Sequence, residues 1–282
     1  WEDGNIPWPE QGVQIQSGHT VTFNRNDTAV TCSTLTISGT LQFDGAIANR
    51  SMIVAGDVNL QNGGQFLMPP NTGYISTLKI KCDTEGQYGI IVNNGGKFDV
   101  QGTTTTTPST RNCLIASEIP TAKTYIRNLS QTEANFNMYY VQVSSMGIDA
   151  AGKYGITFDG AGTRGKVNYC SIHNSGHSGI YLDNSSSNTL SNNSCYSNFK
   201  NGIRLFNSSN NTLNNNSIYL NSGHGTALNN SSNNTISNNS CYSNSNIGIS
   251  LYSGSSNNTL SNNNCYSNSN HGIALSGSNN IL

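Results

Sequence analysis

The sequence predicts an all-β chain whose C-terminal half winds as a right-handed parallel β-helix with coils of about 23 residues, preceded by a glycine-rich β domain coaxial with it. Three observations carry this. A Gly-Ile-x-Leu pattern recurs as GITF at Gly155, GIYL at Gly179, GIRL at Gly202, GTAL at Gly225, GISL at Gly248 and GIAL at Gly272. Columns of one residue type keep step with those glycines. No apolar spacing of helical period appears in the region, while Ile and Leu at the first and third places after each glycine alternate as a strand does.

Twelve residues before the glycines stand Val167, Leu190, Leu213, Ile236 and Leu260, and seven before stand Ile172, Cys195, Ile218, Cys241 and Cys265. Nine before stand Cys170, Asn193, Asn216, Asn239 and Asn263, and four before stand Asn198, Asn221, Asn244 and Asn268. Each repeat thus holds three short apolar stretches separated by corners of glycine and asparagine. Three strands per unit and no helix describe one coil, each strand pairing with its counterpart about 4.8 Å along the axis. Chain chirality makes the coil right-handed. Stacked asparagine amides bond from coil to coil and tolerate left-handed backbone, so the polar corners add cohesion.

Upstream, MYYVQVSSMG from Met138 aligns with VNYCSIHNSG from Val167, which starts the helix by residue 136. Residues 1–102 alternate clearly in VQIQ, HTVTF and TLTISGTLQF, with Leu35, Ile37, Gly39, Leu41 and Phe43 on one face. The turns NGGQF and NGGKF precede similar strands. Residues 103–135, including TTTTTPST, show no coil spacing and are expected to be a linker or lateral excursion.

Hydrophobic residues make up 34% of the chain, charged residues only 10%, and the net charge is −1. No Lys/Arg cluster stands out, so neither nucleic acid nor an anionic membrane is a favoured partner. No run approaches the roughly 20 apolar residues of a membrane span. The start WEDGNIPWPE, without Met, is what removal of a signal peptide would leave. Sequons at Asn26 and Asn128, then crowding through Asn184, Asn207, Asn230 and Asn257, suit a secreted or cell-surface protein. Seven cysteines without a C-x-x-C speak against a zinc knuckle or redox pair. Cys241 and Cys265, on neighbouring coils, are close enough for a disulfide but poorly aimed, and buried free thiols are expected.

From Gly155 onward the reiterated SSNNTLSNN and GIxL motifs resemble the parallel β-helix repeats of the carbohydrate-binding and sugar-hydrolase type. That superfamily includes pectin and alginate lyases, phage tailspikes, periplasmic copper-maturation proteins of nitrous oxide reductase and many surface proteins. The resemblance implies the fold and says little about activity. The first hundred residues, through Trp1, PWPEQG, VQIQSGHTVTF, TLTISGTLQF and NGGQF, resemble the extracellular domain named for its eight glycines, which brings no agreed catalytic residues.

The resemblance implies that any enzyme of this kind acting on acidic polysaccharide works with Asp clusters binding calcium, a Lys or Arg base, or paired carboxylates, displayed on one outer sheet. From residue 205 to the end there is no Asp, Glu, Lys or Arg. Just before, Asp159 and Asp183 share a column, Tyr181 and Arg204 lie beside them, and His177 and Lys200 fall in a third column with Lys153. Asp159, Asp183, Arg204, Lys200, His177 and Tyr181 form the candidate patch, with ordinary solvated surface as the alternative. His224 and His271 share a column two coils apart, roughly 10 Å by strand spacing, too far for one metal ion. No metal or other cofactor is expected. Tyr196, Tyr219, Tyr242 and Tyr266 directly follow the inward column and are the glycan-contact candidates.

SGSNNIL at the end begins another coil, Leu282 falling where Leu260 fell. An open coil end exposes unpaired strand edge and core, so either residues are missing there or another molecule covers it, and a head-to-tail stack of copies would cover it and propagate. The function expected is a structural or adhesive surface module that contacts polysaccharide and associates with itself, head to tail or laterally. The alternative is a polysaccharide lyase or glycoside hydrolase at the charged patch.

Overall fold

The computed structural model describes residues 8–45, 48–71, 73–103 and 111–282. Its strands fall into three parallel sheets of eleven, ten and nine strands that the chain visits in strict rotation. Val13–Ile15 enters the first sheet and Thr20–Phe23 the second, and Arg50–Val54 is the earliest strand of the third. The first coil meets the third sheet only through bridges from Asn26 to Ser51 and from Cys32 to Val54. The architecture is a parallel β-helix of triangular section, with its apolar column inside.

The expected registers hold. Val167 pairs with Leu190 and Leu190 with Leu213, Ile172 with Cys195, and Ile180 with Ile203. All are buried. Val143 lies opposite Ile172 and Met138 opposite Val167. Ile281 bridges Thr259, which sets Leu282 across from Leu260.

The N-terminal half differs from expectation. The same three sheets run through residues 102 and 136 without a break, so the glycine-rich strands are earlier coils of one helix. Cys113–Ser117 and Tyr125–Asn128, assigned to a linker, are strands of the third and first sheets. Most of TTTTTPST, like Trp1, lies outside the described residues. Coil spacing was unreadable here because loops are inserted: Val58 pairs with Ile90, Ile90 with Ile126, and Ile126 with Ile156. A phenylalanine column, Phe23, Phe43, Phe66, Phe98, Phe136 and Phe158, fills this half at centroid spacings of 5.0–5.7 Å. Leu35 with Ile37, and Leu41 with Phe43, all point inward but from two sheets that meet at Gly39. A Cβ there would sit 2.2 Å from the Gln16 carbonyl oxygen. The Gly-Ile-x-Leu glycines also serve close approach: a Cβ on Gly202 would meet Ile218 at 2.2 Å.

Each corner of the later coils carries its own buried asparagine ladder. The two expected ladders run from Asn193 to Asn263 and from Asn198 to Asn268; a third runs Asn188, Asn211, Asn234, Asn258, Asn280. Amide-to-amide distances are 2.9–3.2 Å throughout. Left-handed backbone falls on the residue before the ladder asparagine: Asn215, Leu220 and Asn210 have φ of 56°, 56° and 58°. Asn216 shows the bonding. Its Oδ1 accepts the Asn193 backbone N–H and the Asn193 Nδ2, and its Nδ2 donates to the Leu190 carbonyl and to Asn239 Oδ1. Every donor and lone pair of the amide is used.

Asn216→Ala therefore leaves buried groups on two coils unpaired and is expected to lower the unfolding free energy by about 2–3 kcal/mol. Asn270→Ala, which removes an exposed amide contact, should change it by less than about 0.5 kcal/mol. Denaturant titration of both variants checks the contrast.

Candidate functional site

The outer face of the first sheet is lined by alternate residues of Ile156–Asp159, Ile180–Asp183 and Ile203–Phe206. In-register pairing sets Asp159 beside Asp183, Asp183 beside Phe206, and Tyr181 beside Arg204. The corner entering this sheet contributes His177 and Lys200, so the six predicted residues do share one region.

The neighbours decide what each can do. Asp159 is held by Arg127, with Nε donating to Oδ2 at 2.6 Å. Lys200 Nζ donates to Asp149 Oδ2 at 3.0 Å, and Asp149 Oδ1 lies 3.5 Å from His177 Nε2. Asp149 is exposed, and the Lys200 hydrogen bond holds its carboxyl below the usual range. Tyr154 stacks on Tyr181 at 4.3 Å and covers His177 at 4.6 Å. His177 is only 2% exposed and Tyr181 5%. Burial pushes the His177 imidazole down to about 4 and the Tyr181 phenol up to about 12. His177 is therefore neutral and Tyr181 protonated at neutral pH, and both are sealed from a ligand.

Asp183 and Arg204 are left. Asp183 accepts a hydrogen bond from Asn184 Nδ2 at 2.8 Å; burial, and then the neighbouring Asp159, push its carboxyl up, against the pull of Arg204. The Arg204 guanidinium lies 5.3 Å from the Tyr181 ring centre and 5.9 Å from that of Phe206. Among the described residues Arg204 has no ion-pair partner, and its Nε is buried without a hydrogen bond. Half-buried and resting on aromatic rings, it offers a planar fork to a carboxylate or to sugar hydroxyls. Lys153 is elsewhere, donating to the Gly86 carbonyl and facing Tyr125.

Arg127, Asp149, Tyr154 and Phe206 were missed from the sequence. Arg127 belongs to a coil of irregular length, and Asp149 and Tyr154 to the loop between Met146 and Gly155. Phe206 was readable, because it occupies the Asp159–Asp183 column one coil later.

The tyrosine column faces outward on the third sheet. Tyr196, Tyr219, Tyr242 and Tyr266 stack at 4.9–5.1 Å with planes within 6° of parallel, continued by His173. Each inner ring has its faces covered by its neighbours, so stacking a sugar on Tyr196, Tyr219 or Tyr242 is precluded and only ring edges are presented. Of the sequon asparagines, Asn26, Asn184, Asn230 and Asn257 are exposed and Asn207 is half-buried. Asn128 is fully buried, donating to the Arg164 carbonyl and accepting from the Ser130 N–H, and is no acceptor site in the folded chain. The cysteines are free thiols, all buried except the half-buried Cys265. Among the described residues no three His, Cys, Asp or Glu side chains converge as a metal requires, and no helix is long and apolar enough to cross a membrane.

Fold and patch together describe a right-handed parallel β-helix with a charged, aromatic-backed surface on its first sheet. The family described as the right handed beta helix region matches residues 154–282. A variant of the periplasmic alginate epimerase AlgG is similar at 18% identity and a TM-score of 0.49, over 84% of this chain and 62% of its own. The A-module of the Azotobacter vinelandii mannuronan C-5 epimerase AlgE4 gives 11% and 0.44, over 97% and 86%. The Dettilon tailspike protein gives 15% and 0.37, over 80% and 48%. This chain thus spans 62% of the length of the AlgG variant. At these values no residue or activity is carried over. The comparison with curated proteins finds no match.

Because His177 binds a proton less readily folded than unfolded, the unfolded chain holds more protons between about pH 4 and 6.5. The unfolding free energy should fall as pH drops through that window. His173 and His224, also lowered by burial, add to the slope, and Asp183 opposes it. His177→Gln should flatten the profile relative to the unmodified chain, measured by denaturant titration at each pH.

Proposed function

We propose that the protein is a glycan-contacting, adhesive β-helix of the cell exterior whose ligand lies along the outer face of the first sheet, over Arg204, Asp183 and Phe206. The observation that carries the reading is Arg204 itself, a cation with no ion-pair partner among the described residues, backed by Tyr181 and Phe206 and flanked by a polar carboxyl. Asp159, Asp183, Phe206, Asn229 and Tyr252 follow one another in register along this face at the strand spacing of about 4.8 Å, close to the length of one sugar unit in an extended chain. The exposed sequon asparagines support an exterior location and are proposed glycosylation sites.

Binding is favoured over catalysis because His177 and Tyr181 are sealed, and Lys200 and Asp159 are held in ion pairs. One observation favours the alternative lyase or hydrolase: Asp159 and Asp183 are in register on adjacent strands, one ion-paired and the other pushed up, an arrangement suited to paired-carboxylate chemistry.

A glycan array read with the unmodified chain and with Arg204→Ala tests the site. The variant should lose affinity by about tenfold or more, the loss of one charge-assisted hydrogen bond, with its melting temperature kept. Equal binding by both refutes the Arg204 site. Release of reducing ends or unsaturated products from a bound glycan, abolished by Asp183→Asn, would establish the enzyme instead.

A further inference from the structure

The corner leading from the second sheet to the third carries a side-chain cluster that neither the Arg204 site nor the ladders use. Its left-handed position is held by Asn192, Asn215, Asn238 and Asn262 in the later coils, but by Tyr140 and Tyr169 in the two coils before them, all with φ of 54–57°. Asparagine suits this backbone and a bulky ring does not. Both tyrosines stay half-buried, so the core gains little from them in return. Strained residues of this kind collect where ligands bind.

The two rings stack at 4.8 Å. Arg111, one coil earlier on the same corner, covers the remaining face of Tyr140 at 4.8 Å from the ring centre. Tyr139 stands almost perpendicular to Tyr140 at 4.6 Å and also contacts Tyr169. With both faces of Tyr140 taken, Tyr139 receives its edge, and the far face of Tyr139 meets no other ring among the described residues. Arg111 has no ion-pair or hydrogen-bond partner among the described residues, and its Nε is buried without one. The adjoining segment 103–110 contains no Asp or Glu. Asp99, on the neighbouring strand, is already taken by Lys97, Gln101 and Asn137. Burial holds the Arg111 guanidinium below its usual value, as expected of a charge stripped of water with no anion beside it.

We infer that Arg111 and Tyr139 form a second glycan site, specific for a sugar that carries a carboxylate. The free amino groups of Arg111 take the carboxylate in charge-assisted hydrogen bonds, and the open face of Tyr139 takes the apolar face of the sugar ring. A sugar is favoured over a simple organic acid because amides flank that ring on both sides. Gln101 and Asn168 lie in register with Tyr139 on the two adjacent strands. Gln101 donates to Asp99 and keeps its carbonyl oxygen free, while Asn168 accepts from Ser191 and keeps its Nδ2 free. One acceptor and one donor thus await hydroxyl groups on either side of an aromatic platform.

The Arg204→Ala chain isolates this site from the one on the first sheet. It is titrated calorimetrically with oligosaccharides of galacturonate, glucuronate and mannuronate, each beside its carboxyl-reduced counterpart, and with acetate. At least one acidic oligosaccharide should bind about tenfold or more tightly than its reduced form. Adding Arg111→Gln should erase that preference. Adding Tyr139→Ala should weaken both forms, whereas Tyr139→Phe should keep them, and thermal unfolding verifies that each variant is folded. No preference for any acidic oligosaccharide, or a preference that survives Arg111→Gln, overturns the inference. So does acetate binding as tightly as the oligosaccharide, or Tyr139→Ala binding like its parent.

Discussion

Corner hydrogen bonding along the helix axis is the interaction on which the rest of this molecule depends. A coil of 23 residues spends only about ten of them in strands, and the remainder turn three corners whose backbone groups cannot all reach solvent. An unpaired buried N–H or C=O costs free energy comparable to a lost hydrogen bond. The left-handed residue followed by a ladder asparagine solves this at each corner of the later coils, because one amide satisfies backbone groups of the coil before it and hands its own donor to the next. The ladders lock register as well as cohesion: a coil displaced by one residue would break all three at once. That fixed register lets the tyrosines stack within 6° of parallel.

The same register explains where charge can and cannot be. Repeating a coil in register places like side chains about 4.8 Å apart, and two like charges at that spacing repel by about 1 kcal/mol even in bulk water. Amides and phenols gain from stacking; carboxylates and ammonium groups do not. The uncharged coils after residue 204 thus follow from regular stacking, and their lack of charge is no evidence by itself for assembly. A stacked like-charge pair, Asp159 and Asp183, occurs where Arg127 from an irregular coil neutralises one member.

Chemistry therefore collects at the seam between irregular and regular coils. Loops inserted before Gly155 bring Asp149 and Tyr154 across the face of the first sheet, where they seal His177 and Tyr181 and pair Lys200. Arg204 stands one coil beyond the reach of those loops, which is why it has no ion-pair partner among the described residues.

The sequence by itself determined the later coils. Period, apolar columns, two asparagine ladders and the outward tyrosines were legible because each side chain there interacts mainly with its own equivalent one coil away, so the contact repeats at the period of the sequence. The third ladder was equally legible, fourteen residues before each later glycine. Tertiary structure alone decided the earlier coils and the site. Ile90 pairs with Ile126 across an inserted loop that no period reveals. Arg127 meets Asp159, Asp149 meets Lys200, and Tyr154 buries His177 through contacts between unlike residues at unequal separations. A column of equivalents can be read by counting; a contact made by a loop depends on where the loop lands.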